Sequence, residues 1–244
     1  MTKIPGLSPV KTRLAKTHGV AFAEALYTCF LQDIVIKIKA LRLELASELT
    51  RLDLYILYSP LLAAESDLQS CCGVTASDPI IFEPQVGQDL GERMHHAFVD
   101  AFAKGYERVL LIGGDSPDLP PSYLKAALTA LKTHAGALIP SQDGGYCLIG
   151  FQQSGYAPQL FDVEHWGSPS VLSDTLAQVQ REQIDLWQGP VWQDVDDAAD
   201  LRQFWDLHQP AKGDLSPSKI TKTTAATAWF QNSRSLRYLR SHYV

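Results

Sequence analysis

Three groups of acidic residues stand where the sequence pattern predicts loops. They are Asp115 with Asp118, Asp143, and the group Asp194, Asp196 and Asp197. Because parallel strands bring their carboxyl ends to one edge of a sheet, all three groups could converge there. Grouped carboxylates hold Mg²⁺ or Mn²⁺, with substrate phosphates completing the octahedron. Taken singly, each group is more typical of turn and cap chemistry.

Two basic residues follow a Gly- and Pro-containing loop near the start of the chain. Lys11 and Arg13 come directly after the segment PGLSPV at 5–10. Both side chains donate charge-assisted hydrogen bonds, which suits a phosphate clamp. A solvated basic arm is the alternative that composition alone favours. Together with the three acidic groups, however, the pair favours a site for a metal and a nucleotide.

Strands and helices alternate along most of the chain. Apolar runs bounded by Gly, Pro or polar residues predict strands over 52–58, 79–83, 109–112, 136–140, 146–151 and 183–186. Apolar residues three and four apart predict helices over 17–50 with a break near Ala40, and over 61–68, 89–104, 121–133, 169–181 and 197–207. Asp118, ahead of two prolines, is predicted to cap the helix after it. This order predicts an α/β fold, one Rossmann-like domain with a mostly parallel central sheet flanked by helices.

Composition and charge narrow the function. The net charge of −6 argues against a nucleic-acid partner. No apolar run is long enough to span a bilayer and the amino terminus lacks a signal-peptide pattern, so we expect no membrane partner and a cytoplasmic location. The cysteines, Cys29, Cys71, Cys72 and Cys147, have no metal-binding spacing and are expected to be free thiols.

The carboxyl-terminal part differs in composition from the rest. Residues 212–244 carry six Lys or Arg and one Asp, which leaves the remainder at −11. We therefore predict one domain over 1–208 and a basic tail over 209–244, a linker followed by a helix that docks on the acidic body. A homodimer is also compatible with the sequence.

Several catalytic signatures are absent from the sequence. There is no G-x-G-x-x-G after a strand, no G-x-x-x-x-G-K-[ST] and no G-x-S-x-G. The adjacent His95 and His96 would point in different directions on a helix, which argues against zinc. His165, beside Trp166 in a predicted loop, is a candidate contact for an acceptor, although surface packing is the commoner explanation.

Six short motifs occur in an order that resembles a known family. They are KIPGLSPVKTRL at 3–14, QVGQDLGERM at 85–94, LIGGDSPDL at 111–119, DGGYCLIG at 143–150, WGS at 166–168 and DVDDAADL at 194–201. Together they resemble the rSAM/selenodomain-associated transferase 1 family, also labelled arsenosugar-biosynthesis-type glycosyltransferases, over roughly residues 2–207. That family is similar to the nucleotide-diphospho-sugar transferase (GT-A) fold.

The resemblance implies roles for particular residues. Asp115 would be a catalytic metal ligand, with Asp194 or Asp196 across the metal, and Asp143 a catalytic base near the acceptor. The implied nucleotide-binding residues are Lys11, Thr12, Arg13, Gln85, Gly87, Arg93 and Gly114. The implied acceptor- or sugar-binding residues are Gly144, Gly145, His165 and Trp166. The family has a complete apolar strand before the first motif, whereas only Met1 and Thr2 stand there, so the first strand is expected to be truncated.

These observations lead to three hypotheses. The first is a transferase that uses Mg²⁺ or Mn²⁺ and moves a sugar from a nucleoside diphosphate sugar to a small-molecule acceptor. The second is a nucleotidyltransferase, resembling guanylyltransferases, in which a phosphorylated metabolite attacks an NTP and pyrophosphate leaves. The third is a non-catalytic nucleotide-binding or accessory protein.

Overall fold

In the computed structural model, residues 1–48, 51–209 and 228–243 are described. The strands are β1 Thr2–Lys3, β2 Leu54–Ser59, β3 Ile80–Pro84, β4 Arg108–Ile112, β5 Gly136–Pro140, β6 Tyr146–Gln152 and β7 Leu186–Gln188. The helices are α1 Thr12–His18, α2 Val20–Glu44, α3 Glu65–Cys72, α4 Leu90–Ala103, α5 Pro121–Ala130, α6 Val171–Arg181, α7 Ala198–Leu207 and α8 Arg234–His242. The predicted α/β class with a mostly parallel sheet is confirmed.

The strands form two groups that meet at β1. The first group has the order β1-β2-β3, and all its pairs are parallel. The second has the order β4-β6-β5-β7, in which β6 runs antiparallel to both neighbours and β5 pairs in parallel with β7. The nitrogen of Met1 donates a hydrogen bond to the carbonyl oxygen of Ile112 at 2.7 Å. This bond links β1 to the end of β4, so β1 lies between the two groups.

Because β1 is so short, an open slot lies between β2 and β4. β1 pairs with β2 only at Tyr58 and Ser59. Every residue of β2 and β4 is partly exposed, whereas β5, which lies between β6 and β7, is buried throughout. The slot has a volume of about 200 Å³, and α2, α4 and α5 contribute to its lining. β1 therefore has two residues and lies beside an open slot.

Some predicted elements were wrong in position. The first long helix has no break near Ala40, because α2 continues to Glu44, and the interruption falls instead at Gly19. The strand predicted over 183–186 lies at Leu186–Gln188, where it pairs with β5. Positions 49 and 50, at the end of the first predicted helix, lie outside the described residues. The strand is placed by its pairing with β5, and α2 continues past Ala40 because its apolar residues are buried, so local sequence alone decides neither position.

Near the carboxyl terminus, α8 packs against α2. The carboxylate of Asp33 in α2 accepts hydrogen bonds from the backbone nitrogens of Arg234 and Ser235, at 2.8 and 2.9 Å. Leu236 and Leu239 are fully buried against the α2 side of the core. The linker predicted after residue 208 falls largely on 210–227, outside the described residues.

Two further expectations concern the thiols and the helices. The described cysteines are all free, and Cys71, Cys72 and Cys147 are buried, as predicted. Among the described helices, none has both the length and the apolar character that crossing a bilayer requires.

Candidate active site

The basic loop after β1 carries Lys11 into the protein. Ile4 and Val10 are buried at its two ends. Lys11 then takes a left-handed conformation, with φ 45° and ψ 46°, immediately before α1. Residues with a side chain seldom adopt this conformation, and such strain is often found at functional positions. Here the left-handed backbone accompanies a Lys11 side chain that is only 3% exposed.

The ammonium of Lys11 lies between two acidic loops. Its Nζ contacts Asp115 Oδ1 at the end of β4 and lies 2.8 Å from Asp196 Oδ1 in the loop before α7. The two loops also meet directly, since the nitrogen of Val195 donates to the carbonyl oxygen of Asp115 at 3.0 Å. Burial by itself would lower the pKa of Lys11, but the charges of Asp115 and Asp196 outweigh it and raise that pKa. Lys11 is therefore charged at neutral pH.

A group of three carboxylates lies beside this ion pair. Asp143, Asp194 and Asp196 each place one oxygen within 4.8 Å of the others. Burial first, then the charges of Asp143 and Asp196, raises the pKa of Asp194 to about 6. Asp194 Oδ1 accepts a hydrogen bond from Ser141 Oγ at 3.1 Å, and Asp143 Oδ1 accepts one from the nitrogen of Gly145 at 2.9 Å. Among the described residues, the second oxygen of each of the three acids accepts no hydrogen bond.

Most residues predicted to bind the nucleotide line one cavity of about 410 Å³. The predicted residues in its wall are Lys11, Thr12, Arg13, Gln85, Arg93, Asp115 and Asp196. Gly87 lies just behind the wall, where its carbonyl oxygen accepts from Arg93 Nε at 3.0 Å. Gln85 has a further role, since its Nε2 donates to the carbonyl oxygens of Thr2 and Leu57 at 2.9 Å each.

Two of the predicted glycines are required by close packing. A Cβ at Gly114 would collide with the hydroxyl of Tyr27. Gly144 has φ 91°, and a Cβ there would collide with the carbonyl oxygen of Pro169. The absence of a side chain at Gly144 therefore lets the Asp143 turn lie against the start of α6. Gly145 belongs to the same turn.

Of the predicted acceptor residues, Gly144 and Gly145 share the turn of Asp143, whereas His165 and Trp166 line neither cavity. His165 is exposed and lines neither cavity. The indole of Trp166 packs instead against Gly91 in the first turn of α4. Neither observation tests whether an acceptor reaches these residues, so their role stays a prediction.

Sequence reasoning missed Tyr27 and misassigned Asp118. Tyr27 lies in the amino-terminal part of α2, where its hydroxyl lies 3.0 Å from Thr2 Oγ1 and its ring lies 5.6 Å from Lys11 Nζ. The predicted cap role of Asp118 is wrong: Pro120 is the residue before α5, and Asp118 is fully buried. Its carboxylate bonds to Trp192 and His208, which no local pattern around Asp118 could indicate. By contrast, Asp197 caps α7, since its side chain accepts hydrogen bonds from the nitrogens of Ala199 and Asp200.

The fold resembles that of a solved protein. A crystal structure from Desulfovibrio desulfuricans G20, provisionally described as a nucleotide-diphospho-sugar transferase, shares 32% sequence identity with this chain. The similarity covers 98% of this chain and 91% of the other, with a TM-score of 0.78. The chain thus has the α/β fold of that protein.

A family assignment follows from the sequence. The profile of DUF2064, described as "uncharacterized protein conserved in bacteria", matches residues 43–168, more than half of the chain. The chain belongs to this family. The finer assignment to the rSAM/selenodomain-associated group stays a prediction.

More distant likenesses add nothing to this assignment. A 4-diphosphocytidyl-2C-methyl-D-erythritol synthase shares 14% identity over 70% of this chain and 81% of its own, with a TM-score of 0.43. A CMP:2-keto-3-deoxy-manno-octonic acid synthetase complexed with CTP shares 10% identity over 70% and 85%, with a TM-score of 0.44. Both are too distant to bear on function. No curated protein matches the sequence.

Proposed function

We propose that this protein is a metal-dependent transferase that binds a nucleoside diphosphate sugar in the cavity beside Lys11. The observation that carries the proposal is the buried Lys11 ammonium between Asp115 and Asp196, next to a group of three carboxylates. The description of the similar Desulfovibrio protein as a nucleotide-diphospho-sugar transferase supports the same class of reaction.

The basic residues would bind the diphosphate. Lys11, Arg13 and Arg93 line the cavity and bring three cations to the wall that also contains Asp115 and Asp196. Charge on the departing diphosphate would be stabilised by donors already in place, which is the usual source of catalysis in group transfer. Asp115 would keep Lys11 oriented toward the phosphates.

The carboxylates suit a divalent metal. Asp143, Asp194 and Asp196 supply hard oxygen ligands, which Mg²⁺ and Mn²⁺ prefer, and each acid keeps one oxygen that accepts no hydrogen bond among the described residues. A bound ion would act as a Lewis acid on the phosphate oxygens. Asp115 remains a proposed ligand, although its Oδ1 contacts Lys11 in this conformation. If Asp143 holds the ion, it is not free to act as the base for the acceptor.

A second candidate is a nucleotidyltransferase acting on a phosphorylated metabolite. The three converging carboxylates favour it, because release of pyrophosphate from an NTP commonly uses more metal charge than departure of a diphosphate. A non-catalytic nucleotide-binding protein would use the same cavity without turnover.

A binding and turnover experiment separates the three functions. The purified protein is first titrated with Mn²⁺ and with UDP, GDP and CDP, with the unfolding midpoint as readout. It is then incubated with nucleotide sugars or NTPs and assayed for free diphosphate and pyrophosphate. We expect stabilisation by one nucleotide only with Mn²⁺, and diphosphate release from the matching sugar nucleotide.

Asp194→Asn should abolish the effect of Mn²⁺, whereas Asp206→Asn, which removes an exposed carboxylate in α7, should not. Pyrophosphate release without sugar transfer would replace the first candidate by the second. Binding without either product would favour the non-catalytic protein, and no stabilisation by any metal and nucleotide would refute all three.

A further inference from the structure

The fully buried carboxylate of Asp118 bonds to two residues that flank positions 194–207, the stretch that contains the last acidic loop and α7. Asp118 Oδ1 accepts a hydrogen bond from Trp192 Nε1 at 3.0 Å, and Oδ2 lies 2.9 Å from His208 Nε2. Trp192 stands two residues before Asp194. His208 closes α7, the helix that begins directly after Asp197. One side chain therefore bonds both to the loop just before Asp194 and to the carboxyl-terminal end of α7.

The segment around Asp118 is itself held from α2. Lys37 Nζ donates to the carbonyl oxygens of Pro117 and Leu119, at 3.2 and 2.9 Å. Lys37 is 2% exposed, so these bonds are shielded from water. Asp118 is thus fixed on both sides along the chain, three residues after Asp115.

A buried carboxylate in this place calls for an explanation. Burying a charged group is costly unless hydrogen bonds and an opposite charge compensate it, and an apolar residue could fill the same space at lower cost. The partners of Asp118 are 74 and 90 residues away in sequence. Its hydrogen bonds therefore join two separate loops, rather than closing a local turn.

We propose that Asp118 is a positioning residue that sets the distance between Asp115 and the Asp194–Asp196 segment. This inference rests on the proposed function, in which Asp118 would hold these carboxylates at the spacing that a metal and a diphosphate require. The direct bond between the loops, from the nitrogen of Val195 to the carbonyl oxygen of Asp115 at 3.0 Å, depends on the same spacing. Substituting the partners behind metal-binding side chains typically lowers metal affinity by about 10–100-fold.

A matched control distinguishes positioning from general stabilisation. Asp33 is also buried, at 4% exposure, and also accepts several hydrogen bonds, but it joins α2 to α8. Asp33→Asn should lower the unfolding midpoint without changing the acidic loops. Trp192→Phe removes only the indole donor to Asp118 and keeps the aromatic packing on Tyr123, whose ring lies 5.5 Å away.

The experiment compares Asp118→Ala, Trp192→Phe and Asp33→Asn with the unchanged chain. Mn²⁺ affinity in the presence of nucleotide is measured at a temperature where each variant is folded. We expect about a 10–100-fold loss in Trp192→Phe and Asp118→Ala and no change in Asp33→Asn. Asp118→Asn, which can still accept from Trp192 and donate to His208, should recover part of the loss.

Hydrogen exchange without ligands is the second readout. The amides of Leu119 and Val195 donate hydrogen bonds to the carbonyl oxygens of Ser116 and Asp115. Both amides should exchange faster in Trp192→Phe than in the unchanged chain, and at the unchanged rate in Asp33→Asn. If the unchanged chain binds neither Mn²⁺ nor nucleotide, the proposed function fails, and the exchange rates alone decide the role of Asp118. Unchanged exchange and affinity in Trp192→Phe, or equal losses in Asp33→Asn, would overturn the proposal.

Discussion

The slot between β2 and β4 provides the sharpest test of the fold. Fusing an apolar segment of about four residues before Met1 would extend β1 through the slot, since four extended residues span about 13 Å. The slot has an apolar wall on both faces of the sheet. Leu110 and Ile112 pack with the α2 and α5 side of the core, whereas Val109 and Leu111 pack with α4. We expect the fused segment to pair in parallel with both neighbours.

The expected gain in stability is the sum of two favourable contributions and one cost. Burying four apolar side chains contributes about 8 kcal/mol, at about 2 kcal/mol each. Strand hydrogen bonds on two edges add about 4 kcal/mol, at about 1 kcal/mol each. Ordering four residues costs about 8 kcal/mol, with backbone and side chains counted together. The free energy of unfolding should therefore rise by about 4 kcal/mol.

Urea unfolding measures this change. The extended chain is compared with the unchanged chain and with two fusions of equal length. One alternates Ser and Asp, and the other carries a central Pro, which cannot donate to the sheet. The apolar fusion should raise the unfolding midpoint, and both controls should leave it nearly unchanged. An apolar fusion no more stable than the Ser-Asp fusion would show that the slot does not accept a strand.

Three further predictions concern buried charges. Lys11→Met should lower the free energy of unfolding by about 1 kcal/mol at pH 7, because Asp115 and Asp196, which stay partly exposed to water, lose their cation. The exposed control Lys16→Met should not lower it, and equal urea curves for the two variants would contradict the prediction. Mn²⁺ affinity should fall as the pH drops below about 6, where Asp194 takes up a proton. Calorimetry in two buffers should detect the release of that proton when Mn²⁺ binds. An affinity that does not change with pH would count against Asp194 as a ligand. Burial lowers the pKa of Lys37 to about 8, so between pH 8 and 10.5 the unfolded chain holds more protons than the folded chain. The free energy of unfolding of the unchanged chain, relative to that of Lys37→Met, should therefore rise across that range by up to about 3 kcal/mol. Parallel stability curves for the two proteins would refute this last prediction.

Local signals predicted much of the fold because they act within a few residues. Pro121 at the first position of α5 and Asp89 before α4 mark helix starts that the structure confirms. The alternating run of 34–38 suggested a break, yet α2 continues because Ile34 and Val35 are buried on the helix and Asp33 and Lys37 find buried partners. Such partners are distant in sequence and leave no local pattern.

The candidate site was predictable in its parts and not in their arrangement. The family resemblance implied that Lys11, Asp115 and Asp196 belong to one site, and in the structure Lys11 contacts both acids. The grouping of Asp143 with Asp194 and Asp196 was expected only as a convergence of loops at one edge. The role of Asp118 could not be read from its neighbours, since its partners lie 74 and 90 residues away.

The two halves of the site are anchored very differently. The acidic half rests on buried hydrogen bonds that Lys37 donates to Pro117 and that Asp118 accepts from Trp192. The basic half follows a strand of two residues, which pairs with β2 only at Tyr58 and Ser59 and beside which the sheet is open. The ends of the basic loop are also held by the burial of Ile4 and Val10. The contacts of Lys11 with Asp115 and Asp196 add a third attachment, so the ion pair that offsets part of the acidic charge also helps to hold the basic loop in place.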